Sequence, residues 1–296
     1  MTSDFHNAIM KTNMIKGENK MKKILTSIMM LSLIFCLSAC AFPWQKKETK
    51  KEVKKEVIEA DQVQGTMKGK TLKVGVSNDM APFSYYDKEQ GKIVGFDIEL
   101  LDKISEYLGF EYKLYPMNME QIEQKIKKKQ IDVAISAISI TDERQRKYAF
   151  TDTYYETYLQ VVVNQKTKIT DRKDLKDMKI GVVKDTSSAE YAEEYMAEEN
   201  KIKYYKNVTS LFKDLEKDKI DATIYDAVGI MTYMKEHKDD TNLTVLEEQL
   251  NSEESNYGIM FAKGYPYLDQ FNVALQVLNN DGTYQKLKEQ WIKTKE

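Results

Sequence analysis

Beyond Lys70 the chain alternates between short runs with an apolar residue at every second position and longer runs with one every three or four. Leu72-Lys73-Val74-Gly75-Val76 has the alternation of a strand. From Phe96 to Leu108 the spacing puts Leu100, Leu101, Ile104 and Leu108 on one helical face, and Gly109 supplies a residue that can end the helix. Phe110–Leu114 predicts a second strand, Met119, Ile122 and Ile126 a short amphipathic helix, and Ile131–Ile135 a third strand. The order restarts after Tyr158–Val163. Strands are predicted at Lys179–Val183, Ile202–Tyr205 and Ala222–Tyr225, with helices at Ala189–Glu199 and Leu211–Lys217. A strand at Tyr257–Phe261 and helices at Pro266–Leu278 and Thr283–Trp291 close the chain. Two successive sets of alternating strands and helices predict an α/β protein with two mostly parallel sheets, each with helices on both faces.

The first 70 residues follow a different pattern. From Met21 a basic start, Lys22-Lys23, precedes the apolar run Ile24–Phe35, which is too short to span a bilayer, and Leu37-Ser38-Ala39-Cys40 follows. That layout predicts an export signal over residues 21–39, with residues 1–20 an extended N-terminus. Leu-Ser-Ala-Cys resembles the lipobox of bacterial lipoprotein precursors, which makes Cys40 the lipidated residue; the alternative is an ordinary signal or core helix in which Cys40 is incidental. Residues 40–70 carry a repeated Lys-Lys-Glu unit and few apolar side chains, so a tethering linker is expected there.

Composition narrows the chemistry. Both cysteines, Cys36 and Cys40, lie in the signal segment, so the rest of the chain has no thiol for catalysis, disulfides or metal. With the five lysines and two acids before Cys40 set aside, the net charge is about −5, which gives no basic surplus for nucleic acid. No cofactor is indicated. In a sheet of this kind ligands settle beyond the carboxyl ends of the strands, which directs attention to the loops after Val76, Ile135, Val183 and Tyr225. The chain has three arginines among 45 basic residues, and two of them, Arg144 and Arg146, follow Ile135. An arginine chosen over lysine at a strand end suits bidentate carboxylate or phosphate recognition, with a surface salt bridge as the alternative.

Ser139-Ile140-Thr141, Arg144 and Ala149-Phe150-Thr151-Asp152 together resemble the signature of the family 3 extracellular solute-binding proteins, the amino-acid receptors of ABC importers. The likeness extends through Ala81-Pro82-Phe83, Gly95-Phe96-Asp97, Ile131-Asp132-Val133 and Ile220-Asp221-Ala222. It implies the two-lobe, type II periplasmic-binding-protein-like fold. Lobe 1 would take residues 71–157 and 258–296, and lobe 2 residues 158–257. Two hinge strands near Tyr158–Val161 and Asn256–Gly258 would join them.

The resemblance also implies a site. Arg144 would fork onto an α-carboxylate, assisted by Ser139 and by backbone N–H groups at Thr186, Ser187 and Ser188, a run that otherwise reads as a plain helix cap. Asp226 would accept the α-ammonium; its alternative is capping the helix that starts at Ala227. Met80 and Met119 stand where family members commonly carry aromatic walls, and they suit an aliphatic or sulfur-containing side chain. Packing is their other reading, with Phe83 or Tyr85 as the wall. Ser77 is neutral where binders of cations carry an acid, and Ala137 replaces a serine of some relatives. A neutral amino acid is therefore expected, delivered by a monomeric, extracytoplasmic, lipid-anchored receptor to a permease and its ATPase. Two rival readings are an enzyme on this scaffold, of the cyclohexadienyl dehydratase kind, and a surface adhesin. Catalysis would need a placed acid or base, and the one histidine after Cys40, His237, lies in a charged run.

Overall fold

The computed structural model describes residues 59–238 and 241–292. Cys40 and the signal segment lie outside the described residues. The first sheet is built on β1 (Thr71–Val76), whose alternating run pairs in parallel with β5 (Glu111–Pro116) on one side and β6 (Val133–Ala134) on the other. Two returning strands complete it: β13 (Met260–Ala262) lies antiparallel to β6, and β7 (Tyr148–Phe150) antiparallel to β13.

Helices cover both faces. On one side α2 (Phe96–Leu108) sets Leu100, Leu101, Ile104 and Leu108 into the core with no exposed surface. Each is worth about 1.5–3 kcal/mol of burial. Gly109 ends this helix at φ +82°, a conformation that a Cβ would disfavour. The helices α8 (Leu268–Asn280) and α9 (Thr283–Trp291) pack beside α2 through Phe271, Ala274, Leu278 and Leu287. On the other face α3 (Met119–Lys127), capped by Asn118 and Gln121, buries Ile122 and Ile126 against Ala134, Tyr148 and Met260.

The second sheet has the same plan in the order β10 (Lys201–Tyr205), β9 (Lys179–Val183), β11 (Ala222–Asp226), β8 (Leu159–Asn164), β12 (Leu243–Val245). The first three strands are mutually parallel; β8 lies antiparallel to β11, and β12 antiparallel to β8. Both sheets are therefore mixed, parallel through the βαβ units and antiparallel where the chain returns. Val161 and Val163 face α5 (Ser187–Tyr195), while Val162 faces α6 (Val208–Glu216) and α7 (Ala227–Glu236). Burial on both faces explains the unbroken run Val161-Val162-Val163 at the centre of this strand.

The chain crosses between the sheets twice, over residues 151–158 and 251–259. The crossings run antiparallel and are tied together: the Tyr257 N–H donates to Tyr155 O (2.8 Å), the Tyr154 N–H to Tyr257 O (2.9 Å), and the Thr157 N–H to the Asn256 side-chain oxygen (3.0 Å).

One expectation needs correction. The linker expected over residues 40–70 ends before its last part: α1 (Ala60–Val63) packs on α8, and it and the turn after it bury Val63 and Met67 in the core of the first lobe. The Gly65 and Met67 N–H groups donate to the carbonyls of Tyr107 and Leu108. Two apolar residues four apart are enough to dock this polar stretch. Residues 79–94, for which the sequence pattern predicted no element, form a three-stranded antiparallel unit, β2 (Asp79–Met80), β3 (Ser84–Asp87) and β4 (Lys92–Val94), beside the first sheet. Among the described residues no helix is long and apolar enough to cross a membrane.

Candidate ligand site

The parallel strands of both sheets end facing one another across a cavity of about 410 Å³. Ser77 and Met80 follow β1, Ala137 and Ser139 follow β6, and Thr186, Ser187 and Ser188 follow β9 at the start of α5. Asp226 closes β11. Met119 at the start of α3 and Arg144 in α4 (Asp142–Lys147) complete the expected residues that line the cavity. Phe83 does not line it. Its ring is buried behind the site, edge-on to Phe96, Tyr155 and Tyr257, so the wall role considered for it is corrected to core packing. Tyr85 packs on Trp291 instead.

Arg144 is 4 % exposed, which removes the surface-salt-bridge reading. Thr141 caps its helix, and the guanidinium meets acceptors from both lobes. Nε donates to Glu123 (3.2 Å) and Nη1 to Ser139 O (3.3 Å); Nη2 donates to Asp185 O (3.0 Å) and lies 3.5 Å from Glu190 Oε1. Burial raises the Glu190 carboxyl above its ordinary range, and Arg144 opposes that rise. Beside Arg144, the Ser139 hydroxyl donates across the cleft to the Ser187 hydroxyl at 3.0 Å. Thr186 caps α5 by accepting the Ala189 N–H, so the cap reading of this run holds alongside the site reading: the first-turn N–H groups at Ser187 and Ser188 point out of the helix start.

Asp226 caps α7, as its alternative reading required. Oδ1 accepts the N–H groups of Val228 (2.9 Å) and Gly229 (3.3 Å). Oδ2 accepts the hydroxyls of Thr157 (3.2 Å) and Tyr257. Burial pushes its carboxyl above the usual range, against the pull of these donors. Burial and the nearby Asp226 charge raise the Tyr257 phenol well above its ordinary value, so it remains a donor.

Apolar side chains form the rest of the wall: Met80, Met119, Ile122, Leu159 and Val183, with Tyr225, whose hydroxyl reaches the Met80 sulfur at 3.8 Å. Ser77 donates to Asp79 at 2.5 Å, so an acid lies two residues from the neutral position. The remaining charged lining residues are Glu120, Lys184, Asp185 and Lys206, with Lys184 bridging Glu120 (3.8 Å) and Asp185 (3.6 Å). Among the described residues no cluster of His, Cys, Asp and Glu could hold a metal.

Sequence reasoning missed Tyr225, Tyr257 and the stretch Lys206–Val208. The last was legible, because the loop after Tyr205 is another parallel strand end. Tyr257 was not, since it acts from a crossing segment.

The model of the bacterial extracellular solute-binding proteins, family 3, matches residues 72–294. The arginine-binding extracellular protein ArtP of Bacillus subtilis is 28% identical over 273 residues, covering 92% of this chain and 98% of ArtP. The L-cystine-binding protein TcyJ of Escherichia coli K12 is 30% identical over 225 residues, covering 75% and 82%. Among solved structures, an ancestral arginine-binding protein bound to arginine superposes with a TM-score of 0.69 at 31% identity, covering 78% of this chain and all of that one.

Proposed function

The chain belongs to the bacterial extracellular solute-binding proteins of family 3, and from that premise we propose that it is a receptor that takes one free amino acid between its two lobes and hands it to an ABC importer. The observation that carries this reading is the pairing of Arg144 and Asp226 in one cavity, each supplied by a different lobe. A zwitterion needs a cationic donor and an anionic acceptor at its α-carbon. Here the carboxylate takes Arg144, the Ser139 hydroxyl and the α5 N–H groups, and the ammonium takes Asp226. Because the groups come from both sheets, the ligand binds tightly only when the lobes meet.

The ligand is a neutral amino acid with an aliphatic, polar or sulfur-containing side chain. Met80, Met119, Ile122 and Val183 offer it a polarizable apolar wall, and the exposed acids of the lining are offset by Lys184 and Lys206. Relatives bind arginine and cystine, so selectivity rests with this wall and not with the zwitterion contacts. Binding, and not catalysis, fits the placement of the one histidine among the described residues, His237, which stacks on Tyr233 outside the cavity.

A thermal-shift panel of the twenty amino acids plus cystine tests the reading. A ligand at a thousand times its Kd adds about 4 kcal/mol, or roughly ten degrees at this size. Arginine and lysine are expected to give smaller shifts than the best neutral compound, and Arg144→Ala to abolish that shift. No response across the panel would remove the receptor reading. Cys40 serves as the lipid anchor that holds a monomeric receptor beside its permease and ATPase. Cys40→Ser is expected to leave binding unchanged and to move the protein from the membrane fraction to the medium, and retention in the membrane would refute the anchor.

A further inference from the structure

Asp97 lies at the start of α2, wholly buried, and its Oδ2 accepts the Ala137 N–H at 2.7 Å across 40 residues of sequence. Ala137 lines the cavity at φ +48°, a left-handed conformation that residues with a Cβ seldom adopt. Its neighbours in the loop are tied elsewhere. The Ser136 hydroxyl accepts the Ser77 N–H (2.9 Å), Ile138 O accepts the Gly258 N–H (3.0 Å), and the Ile140 N–H donates to Asn256 O (2.8 Å). Those bonds anchor the ends of the loop; the bond from Asp97 is the one that aims the Ala137 peptide, two residues before Ser139.

A buried acid is a costly way to hold one backbone N–H, since an apolar side chain would pack here without desolvating a carboxyl. Asp97 Oδ1 is buried with no hydrogen-bond partner, and so is the Tyr154 hydroxyl. The ionisable groups that bear on this carboxyl are Tyr154, from the first crossing segment, and Tyr284, from α9. Burial opposes the charged carboxyl, and the nearby Tyr154 hydroxyl and the Ala137 N–H favour it; among the hydrogen bonds within normal distance, the one its side chain accepts comes from Ala137.

We propose that Asp97 is a positioning residue of the ligand site, fixing the backbone that presents Ala137 and Ser139 to the bound molecule. This rests on the reading of the cavity as a ligand site. Asp97→Asn keeps an acceptor for Ala137 and turns a donor toward Tyr154, whereas Asp97→Ala removes the acceptor.

The probe is the amino acid giving the largest shift in the thermal panel, titrated calorimetrically against full-length protein, with amide hydrogen exchange at Ala137 read in parallel. Asp97→Ala is expected to weaken binding and to speed Ala137 exchange by about tenfold or more, and Asp97→Asn to restore both to within about threefold. A folded Asp97→Ala protein with wild-type affinity overturns the proposal, as does an asparagine variant as weak as the alanine one. Should the alanine variant fail to fold, the wild-type amide decides: protection at Ala137 supports the proposal, and exchange at the rate of an unstructured amide overturns it. A panel with no binder removes the receptor reading, while the exchange comparison still tests the hold on the loop.

Discussion

Replacing Asp226 by asparagine isolates the negative charge that a ligand ammonium needs. The Val228 and Gly229 N–H groups keep a side-chain oxygen to donate to, and asparagine caps a helix about as well as aspartate. The hydroxyls of Thr157 and Tyr257, which now donate to Oδ2, must turn and accept from the new NH₂ group, which hydroxyls can do. Folding stability should therefore change by no more than about 1 kcal/mol. Binding should change far more, because losing one partner of a desolvated charge pair costs about 2–5 kcal/mol, or roughly 30- to 5,000-fold in Kd. Isothermal titration calorimetry with the panel's best amino acid measures this, with the melting temperature of the free variant as the folding control. The pH dependence adds a second reading. In the free protein burial holds the Asp226 carboxyl above its ordinary range, while a bound ammonium favours its ionised form. Wild-type affinity should thus climb with pH as the free carboxyl ionises and then level off, and the asparagine variant should be flat. Affinity within about threefold of wild type, with unchanged melting, would place the ammonium elsewhere and refute the assignment.

Two further predictions concern the fold. Met67→Ala should destabilise the protein by about 2–5 kcal/mol in denaturant titration, because Met67 is fully buried; a loss below about 0.5 kcal/mol would return residues 60–70 to the status of a linker. Burial pushes the Asp97 carboxyl up to about 7, above its unfolded value of 3.8, so the fold favours the protonated form. That contribution is fully present below about pH 4 and is lost as pH rises through about 7, up to about 4 kcal/mol in all. Urea titrations of wild type and Asp97→Asn between pH 4.5 and 8 should show the gap between them changing in that sense, and a gap independent of pH would mean the carboxyl titrates normally.

Local signals in the chain were the ones that carried over into structure. The helix Phe96–Leu108 matches to the residue, because its apolar stripe and the glycine at 109 both act within a turn or two. The strand read at Ile131–Ile135 keeps its place but contracts to Val133–Ala134, since ladder length depends on β1 and β13, far away in sequence. Val63 and Met67 escaped notice inside a Lys- and Glu-rich stretch whose average composition is that of a spacer; their value lies in the first-lobe core they join. At the site, a scarce arginine at a strand end drew attention to Arg144 while leaving a surface salt bridge open, and Asp226 came from the family resemblance. The acids Glu123 and Glu190 that meet Arg144 come from two other helices, and no spacing rule announces them. Phe83 failed as a wall for the converse reason: an aromatic residue near a strand end can face the core or the cavity, and only the rings of Phe96, Tyr155 and Tyr257 decide which.

The groups around Arg144 bear on how closure is controlled. Contacts span the cleft directly: Ser139 to Ser187, Arg144 to Asp185 O and Glu190, Lys184 to Glu120, and Tyr225 to Met80. Among these only Lys184–Glu120 is an exposed ion pair, worth about 0–1 kcal/mol; the others are a hydroxyl pair, a sulfur contact and the buried Arg144 contacts. A ligand carboxylate that takes over Nη2 from Glu190, and an ammonium that shares Asp226 with the two hydroxyls, would add to both lobes contacts that exist only when they meet. The ligand then shifts the equilibrium by its differential affinity for the closed form. On the proposed reading Glu190 would compete with the ligand carboxylate, since it places a carboxyl 3.5 Å from Arg144 Nη2.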